Sequence, residues 1–184
     1  CGRFTIDIPP ELLIDLFGLL EPPSVVPRYN IAPTQQVPVI RRYGDGQNHL
    51  DYLHWGLIPS WAQDKSIGSR LINARSETVT EKPSFRQAIR YRRCLVLASG
   101  FYEWKQEGKE KQPWYIRLKD RVPMVFAGLW ETWKSVENEV IESCTILTTA
   151  SNPLVAPLHE RMPVIYPLMN IGRGWSELPP TRLA

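Results

Sequence analysis

The sequence predicts a single α+β domain with a mostly antiparallel, partly closed, barrel-like β-sheet flanked by a few helices. The length of 184 residues suits one domain with one core. At least eight short apolar or alternating runs are typical of strands, whereas only two segments have helical periodicity. Short polar turns separate the strands, as in antiparallel sheets.

In the first half of the chain, proline and an acidic residue at Pro9-Pro10-Glu11 favour the start of an amphipathic helix that runs to about Leu20. Gly44-Asp45-Gly46 is predicted as the turn of a hairpin. The other elements predicted here are strands at Val37–Tyr43 and Leu50–Trp55, an extended segment at Arg70–Asn73, and a helix at Ser84–Tyr91 capped by Ser84.

The second half is predicted to be almost entirely strands. These are expected at Arg93–Ser99, Gly100–Trp104, Trp114–Leu118, Met124–Trp130, Val140–Leu147 and in the apolar run after Arg161. Gln106–Gln112 is expected to be a charged hairpin loop, and Thr148–Pro153 a turn or a helix start. Cys94 and Cys144 lie inside apolar strands and are therefore predicted as core residues.

Composition excludes several classes of protein. Three widely spaced cysteines argue against a disulfide framework and for a reducing compartment, so we expect a cytoplasmic protein. No apolar run is long enough to span a membrane, and no secretory leader is recognisable. With three histidines and no C-x-x-C pair, we expect neither a metal nor another cofactor.

Positive charge is concentrated in residues 66–93, which contain seven Lys or Arg residues against two Glu. Most of these are arginines, whose planar guanidinium suits phosphate groups. This run is either a solvated helix face or a track for a nucleic-acid backbone.

The chain begins with Cys1-Gly2-Arg3, and we expect that an initiator methionine or a longer leader has been removed. Cys1 would then carry a free α-amine beside its thiol. An α-amine is less basic than a lysine side chain, so a larger fraction is uncharged and nucleophilic at neutral pH. An aldehyde attacked by both groups would form a thiazolidine ring. The alternative is that Cys1 is a processing remnant at a disordered terminus.

Three other residues have both a functional and a structural interpretation. Glu103 lies between aromatic residues, where a carboxyl group can hold a proton near neutral pH, or it is an ordinary surface residue of an edge strand. Trp61 ends a rigid apolar loop and is by default a core residue, with an exposed ring for base stacking as the alternative. His159, taken alone, is more often structural than catalytic.

Six segments together resemble the SRAP family, the SOS response-associated peptidase or abasic-site processing proteins. The similarity runs from Cys1 to about Pro167, so we expect a domain at 1–167, with 168–184 as an atypical tail of the same domain. The segments are Cys1-Gly2-Arg3, Pro27–Pro33, Trp55–Trp61, Asn73–Glu77, Gly100–Trp104 and His159–Pro163.

This resemblance implies a monomer that recognises abasic sites in single-stranded DNA and forms a thiazolidine crosslink protecting the lesion from strand cleavage. In a bacterium it would be nucleoid-associated. By position, Cys1 would be the nucleophile and Asn73 would orient it. Glu103 and His159 would transfer protons during crosslink formation and reversal, and would release any residue ahead of the cysteine, hence the peptidase name.

The resemblance also implies a DNA-binding surface. Arg3, Arg75 and Arg161 match phosphate contacts, and Trp61 matches a residue that stacks against DNA. Charge distribution alone adds Arg70 and Arg86. Two alternatives remain open: a cysteine peptidase that acts on other proteins, and a non-catalytic single-strand binder whose cysteine is incidental.

Overall fold

The computed structural model describes residues 1–166, which contain eleven β-strands and two α-helices. The helices are α1 (Pro10–Phe17) and α2 (Ala88–Tyr91), and 3₁₀ helices lie at Lys65–Arg70 and Lys119–Arg121. The strands are β1 (Phe4–Ile6), β2 (Arg28–Ile31), β3 (Gln36–Arg42), β4 (Asn48–Trp55), β5 (Asn73–Arg75), β6 (Arg93–Ala98), β7 (Gly100–Glu107), β8 (Glu110–Ile116), β9 (Met124–Lys134), β10 (Val140–Ala150) and β11 (Arg161–Pro163).

Five strands close into a barrel in the order β10-β4-β3-β6-β9, and β9 pairs again with β10. Four of the five pairings are antiparallel, and only β4 and β10 pair in parallel, with Cys144 opposite Trp55. β5 and β11 extend this sheet from the C-terminal part of β10. The predicted α+β fold with a mostly antiparallel, partly closed sheet is confirmed.

A second, four-stranded antiparallel sheet has the order β2-β1-β7-β8. β7 follows β6 after Ser99 alone, so the chain passes directly from the barrel into this sheet. β1 lies between β2 and β7, with Phe4 opposite both Ile31 and Phe101. The N-terminal strand is therefore an internal strand, which fixes the position of the residues ahead of it.

One hydrophobic core joins the two sheets. Phe4 has no exposed area and packs edge-on against Trp55 and Phe126, with ring centroids 5.1 and 6.0 Å apart. Phe101 also packs edge-on against Phe126, with ring centroids 6.0 Å apart. Such aromatic contacts add to the large apolar area that these side chains bury. The prediction that Cys94 and Cys144 are core residues is confirmed, since both are almost completely buried.

Both helix predictions are too long. α1 ends at Phe17 rather than near Leu20 because Gly18 adopts φ = 61° and donates its N–H to the Ile14 carbonyl at 2.8 Å, a left-handed C-cap. In the segment Ser84–Tyr91 only the last four residues form an α-helix, and Ser84 does not cap it. Short helices have little intrinsic stability, so turns replace most of the predicted helix.

Strands also occupy parts of two segments that were predicted as loops. Within Gln106–Gln112, β7 and β8 continue to a two-residue turn in which Gly108 has φ = 62°. Within Thr148–Pro153, β10 continues to Ala150 because β11 pairs with it there. Cross-strand pairing in the folded chain outweighs the polar composition of both segments.

The segment Arg70–Asn73 was predicted to be extended, but Arg70 ends the 3₁₀ helix and only Asn73 belongs to a strand. Among residues 1–166, no helix is long and apolar enough to cross a membrane. The sequence-based interpretation of 168–184 as an atypical tail lies outside the described residues.

Candidate active site

The internal strand β1 holds Cys1 against the core. Backbone hydrogen bonding continues beyond the strand, since the Tyr102 N–H donates to the Arg3 carbonyl at 2.9 Å. Cys1 is 7% exposed, and its side chain has no exposed area, so the small exposed area belongs to main-chain atoms. The thiol donates only a long hydrogen bond, 3.8 Å, to the Arg3 carbonyl. Cys1 is therefore packed into the domain.

The α-amine of Cys1 lies 2.9 Å from Oε1 of Glu103. Side chains alternate along β7, so Phe101 and Glu103 face inward, whereas Tyr102 and Trp104 lie on the opposite face. Glu103 is 5% exposed, and no other described group hydrogen-bonds to its Oε1. A buried carboxylate needs a partner, and here the partner is the terminal amine. Glu103 is therefore a buried residue and not the ordinary surface residue of an edge strand that its sequence context also allowed.

Asn73 contacts the same residue from the barrel side. β5 pairs in parallel with β10, with Asn73 opposite Ile146. Its Nδ2 donates to the Cys1 carbonyl at 2.9 Å, while its Oδ1 is buried and has no hydrogen-bond partner among the described residues. Three predicted catalytic residues, Cys1, Asn73 and Glu103, are thus joined by direct contacts.

His159 lies on an exposed turn before β11, and no contact among the described residues joins it to Cys1. Its Nδ1 accepts the Arg161 N–H at 3.0 Å and lies 3.1 Å from the Arg161 carbonyl oxygen. The tautomer in which Nδ1 accepts this N–H carries the proton of the neutral ring on Nε2. In that tautomer Nε2 of His159 offers an N–H donor, while Nδ1 is held by the Arg161 backbone.

Arg161 is held by Glu77, in the turn that follows β5, and by Thr148 on β10. Its guanidinium makes a bidentate pair with Glu77 at 2.8 and 2.9 Å, and Nη2 also donates to the Thr148 carbonyl at 2.8 Å. The hydrogen bonds from Arg161 lower the pKa of the Glu77 carboxyl to about 2. Sequence reasoning missed the roles of Glu77 and Thr148, although the polar run that follows Asn73 was a signal for Glu77.

The remaining predicted DNA-binding residues lie at separate places. Arg3 donates to Oδ1 of Asn30 at 2.8 Å, and Arg75 is exposed on β5. Trp61 is 58% exposed, so its default interpretation as a core residue is wrong. Arg70 and Arg86 are also exposed, but no contact within residues 1–166 connects either of them to Cys1. The described part of the chain also contains no cluster of three or more side chains that could hold a metal ion.

The geometry defines a single-domain α+β barrel protein whose candidate reactive residue is Cys1, contacted by Glu103 and Asn73. The chain belongs to the SRAP family (SOS response associated peptidase), whose family model matches residues 1–175.

Named relatives support this assignment. The chain is 46% identical over 171 residues to abasic site processing protein YoqW of Bacillus subtilis (strain 168), covering 90% of this chain and 75% of the relative. It is 34% identical over 171 residues to abasic site processing protein YedK of Escherichia coli (strain K12), covering 90% and 74%.

Solved structures share the fold. A crystal structure of a Bacteroides thetaiotaomicron protein superposes with a TM-score of 0.85 at 27% identity, covering 96% of this chain and 81% of that one. A Bordetella bronchiseptica protein superposes with a TM-score of 0.84 at 26% identity, covering 98% and 90%.

Proposed function

We propose that this protein captures abasic sites in single-stranded DNA through a covalent bond to Cys1. The observation that carries the proposal is the pairing of the Cys1 α-amine with the buried Glu103 carboxylate at 2.9 Å. The names of the relatives, which describe abasic site processing, support the choice of substrate.

An abasic sugar in its ring-opened form is an aldehyde. The amine nitrogen adds to this carbonyl carbon, and loss of one water molecule gives an imine. The thiol sulfur then adds to the same carbon while its proton passes to the nitrogen, which closes a thiazolidine ring. One water is released overall, and no oxidant or reductant is needed. The sugar can then no longer undergo the elimination that cleaves the strand.

The surroundings of Cys1 suit this order of steps. Glu103 is close enough to take a proton from the terminal ammonium and to return one to the departing hydroxyl. The Oδ1 of Asn73, which has no hydrogen-bond partner within residues 1–166, can accept a hydrogen bond from a sugar hydroxyl. His159, with its Nε2–H, is assigned the second proton-transfer role. The fully buried thiol is the group that acts second, once the aldehyde carbon is bound to the neighbouring nitrogen.

DNA binding in this proposal requires no base-specific contact, which fits a lesion that lacks its base. Arg3, Arg75 and Arg161 are assigned to phosphates and Trp61 to stacking. Arg70 and Arg86 extend the cationic surface. The protein would act as a monomer, associated with the nucleoid in a bacterium. Glu103 and His159 would also assist the hydrolysis of the peptide bond that joins a preceding residue to Cys1, which is the peptidase activity we assign.

The proposal is tested with an oligonucleotide that carries one abasic site, using heat-stable adducts on a denaturing gel as the readout. The Cys1→Ala variant keeps the α-amine but lacks the thiol. We expect it to form an adduct only when borohydride reduces the imine, whereas the wild-type protein forms a durable adduct without reduction. A durable, unreduced adduct from Cys1→Ala would refute ring closure by the thiol.

A further inference from the structure

An open cavity of about 1190 Å³ lies between β8 and the segment 154–158. One wall includes Trp114, which is directly opposite Glu103 in the pairing of β7 with β8. Residues directly opposite each other in antiparallel strands point to the same face, with Cβ atoms about 5 Å apart. The other wall ends at Leu158, which directly precedes His159. The lining of the cavity therefore includes the cross-strand neighbour of Glu103 and the chain neighbour of His159, the two residues assigned to proton transfer.

The surface of the cavity suits a flat, apolar ring. Trp114 is 48% exposed, although an indole of this size is usually well covered. Leu154, on the facing wall, is 77% exposed. Stacking on an aromatic side chain is the usual way for proteins to hold bases of a single strand, because every base has a π-face.

The charge of the cavity matches a nucleic-acid backbone. Four cationic side chains line it, and none of the described lining residues is acidic: the four are Lys105, Arg117, Lys119 and Arg121. Lys105 pairs with Glu107 at 3.0 Å at the surface. Within residues 1–166, none of the described acidic groups forms an ion pair with the other three. An apolar polypeptide would leave this charge unmatched, whereas phosphates would neutralise it.

We propose that this cavity is a nucleotide subsite, in which the base of a nucleotide flanking the abasic position stacks on Trp114 and the adjoining phosphates contact the cationic rim. The inference rests on the proposed function for the position of the lesion. The sugar that reacts with Cys1 and the base on Trp114 then belong to the same strand, so the subsite helps to hold the lesion beside the amine.

Two variants at position 114 test stacking. Trp114→Leu keeps an apolar side chain but removes the ring, whereas Trp114→Phe keeps a smaller ring. Crosslinking is measured against DNA concentration with a central abasic site. For Trp114→Leu we expect the half-saturating DNA concentration to rise about 5- to 160-fold, with the rate at saturation unchanged. Trp114→Phe should retain most of the wild-type affinity.

A charge-matched pair of variants tests the rim. Lys119→Glu should weaken binding and reduce the slope of log affinity against log salt by about 0.7 per lost phosphate contact. Lys134→Glu makes the same charge change at an exposed position opposite Val140, at the start of β10. Val140 is eight residues, and so roughly 27 Å, from Thr148 near the end of that strand, after which the chain continues to the cavity wall at 154–158. Lys134→Glu should leave both quantities close to the wild-type values.

Equilibrium binding of an undamaged, fluorescent strand separates the subsite from the chemistry. If wild-type protein forms no durable adduct, the proposed function fails, but the affinity ratio between wild type and Trp114→Leu still tests the subsite. Equal half-saturating concentrations for wild type, Trp114→Leu and Lys119→Glu in both assays would overturn the inference. The cavity would then have another occupant, such as an apolar polypeptide segment.

Discussion

Replacing Glu103 by glutamine tests whether the buried ion pair at the N-terminus serves the chemistry or only the stability of the fold. The carboxylate is 5% exposed and faces the α-amine at 2.9 Å. Removing one partner of a buried ion pair costs about 3–5 kcal/mol. Glutamine keeps an oxygen that can accept a hydrogen bond from the amine, so we expect a smaller loss, about 1–3 kcal/mol.

A loss of this size is measurable by urea denaturation or by calorimetry. For a chain of this length it corresponds to a decrease in melting temperature of roughly 2–12 °C. The expected effect on reactivity is larger, because glutamine cannot take a proton from the amine. We expect the rate of durable crosslinking to fall about 10²- to 10⁴-fold, the usual contribution of a general acid–base group.

Glu131→Gln provides a matched control. Glu131 is also a buried carboxylate, 8% exposed, and pairs with Arg92 at 2.7 Å, but it contacts none of the candidate catalytic residues. Its replacement should lower stability by a comparable amount and leave the crosslinking rate unchanged. The reasoning is refuted if folded Glu103→Gln protein crosslinks at the wild-type rate, or if Glu131→Gln slows crosslinking equally.

Two further predictions concern the α-amine of Cys1 and the bidentate ion pair of Arg161 with Glu77. One unremovable residue placed ahead of Cys1 should abolish durable crosslinking, because the α-amine becomes an amide. Intact mass spectrometry checks this, and a persistent adduct would indicate another nucleophile. Glu77→Gln should release Arg161 and lower DNA affinity in a titration, while costing less than about 1 kcal/mol of unfolding free energy because Glu77 is exposed. The pKa of Glu77 is lowered from 4.5 to about 2, so its stabilising contribution is present above about pH 4.5 and is lost as the pH falls through 2. Acid titration of unfolding should show this loss in the wild type and not in Glu77→Gln.

The elements that could be predicted from sequence are those in which local pattern and burial agree. β6 is a continuous apolar run, and residues 94–98 are all buried between its two neighbours in the barrel. The alternation along Gly100–Trp104 likewise predicted a strand, and it placed Phe101 and Glu103 on one face. Apolar runs and alternating patterns depend only on residues that are close in sequence, so the folded structure retains the elements that they predict.

The contacts that build the site depend instead on pairing between distant segments. Asn73 reaches the Cys1 carbonyl across 72 residues, and Arg161 reaches Glu77 across 84. The barrel includes the parallel pairing of β4 with β10, and a parallel pairing has no hairpin turn by which the sequence could indicate it. Sequence patterns alone identified the chemically capable residue types, and the resemblance to a family was needed to group them.

The structure also favours amine chemistry over the alternative of a peptidase that uses the thiol of Cys1 against other proteins. A nucleophilic cysteine needs a base within hydrogen-bond reach of its sulfur and access for the substrate. Here Oε1 of Glu103 contacts the α-amine, whereas the hydrogen bond of the sulfur within residues 1–166 goes to a backbone carbonyl at 3.8 Å, and the thiol has no exposed area. Cys94 and Cys144 are no better placed, because burial raises the pKa of the Cys94 thiol to about 12 and also raises that of Cys144. All three thiols are buried, so what distinguishes Cys1 is the nitrogen attached to the same residue. A substrate that reacts first with that nitrogen, such as an aldehyde, is the kind that this arrangement can capture.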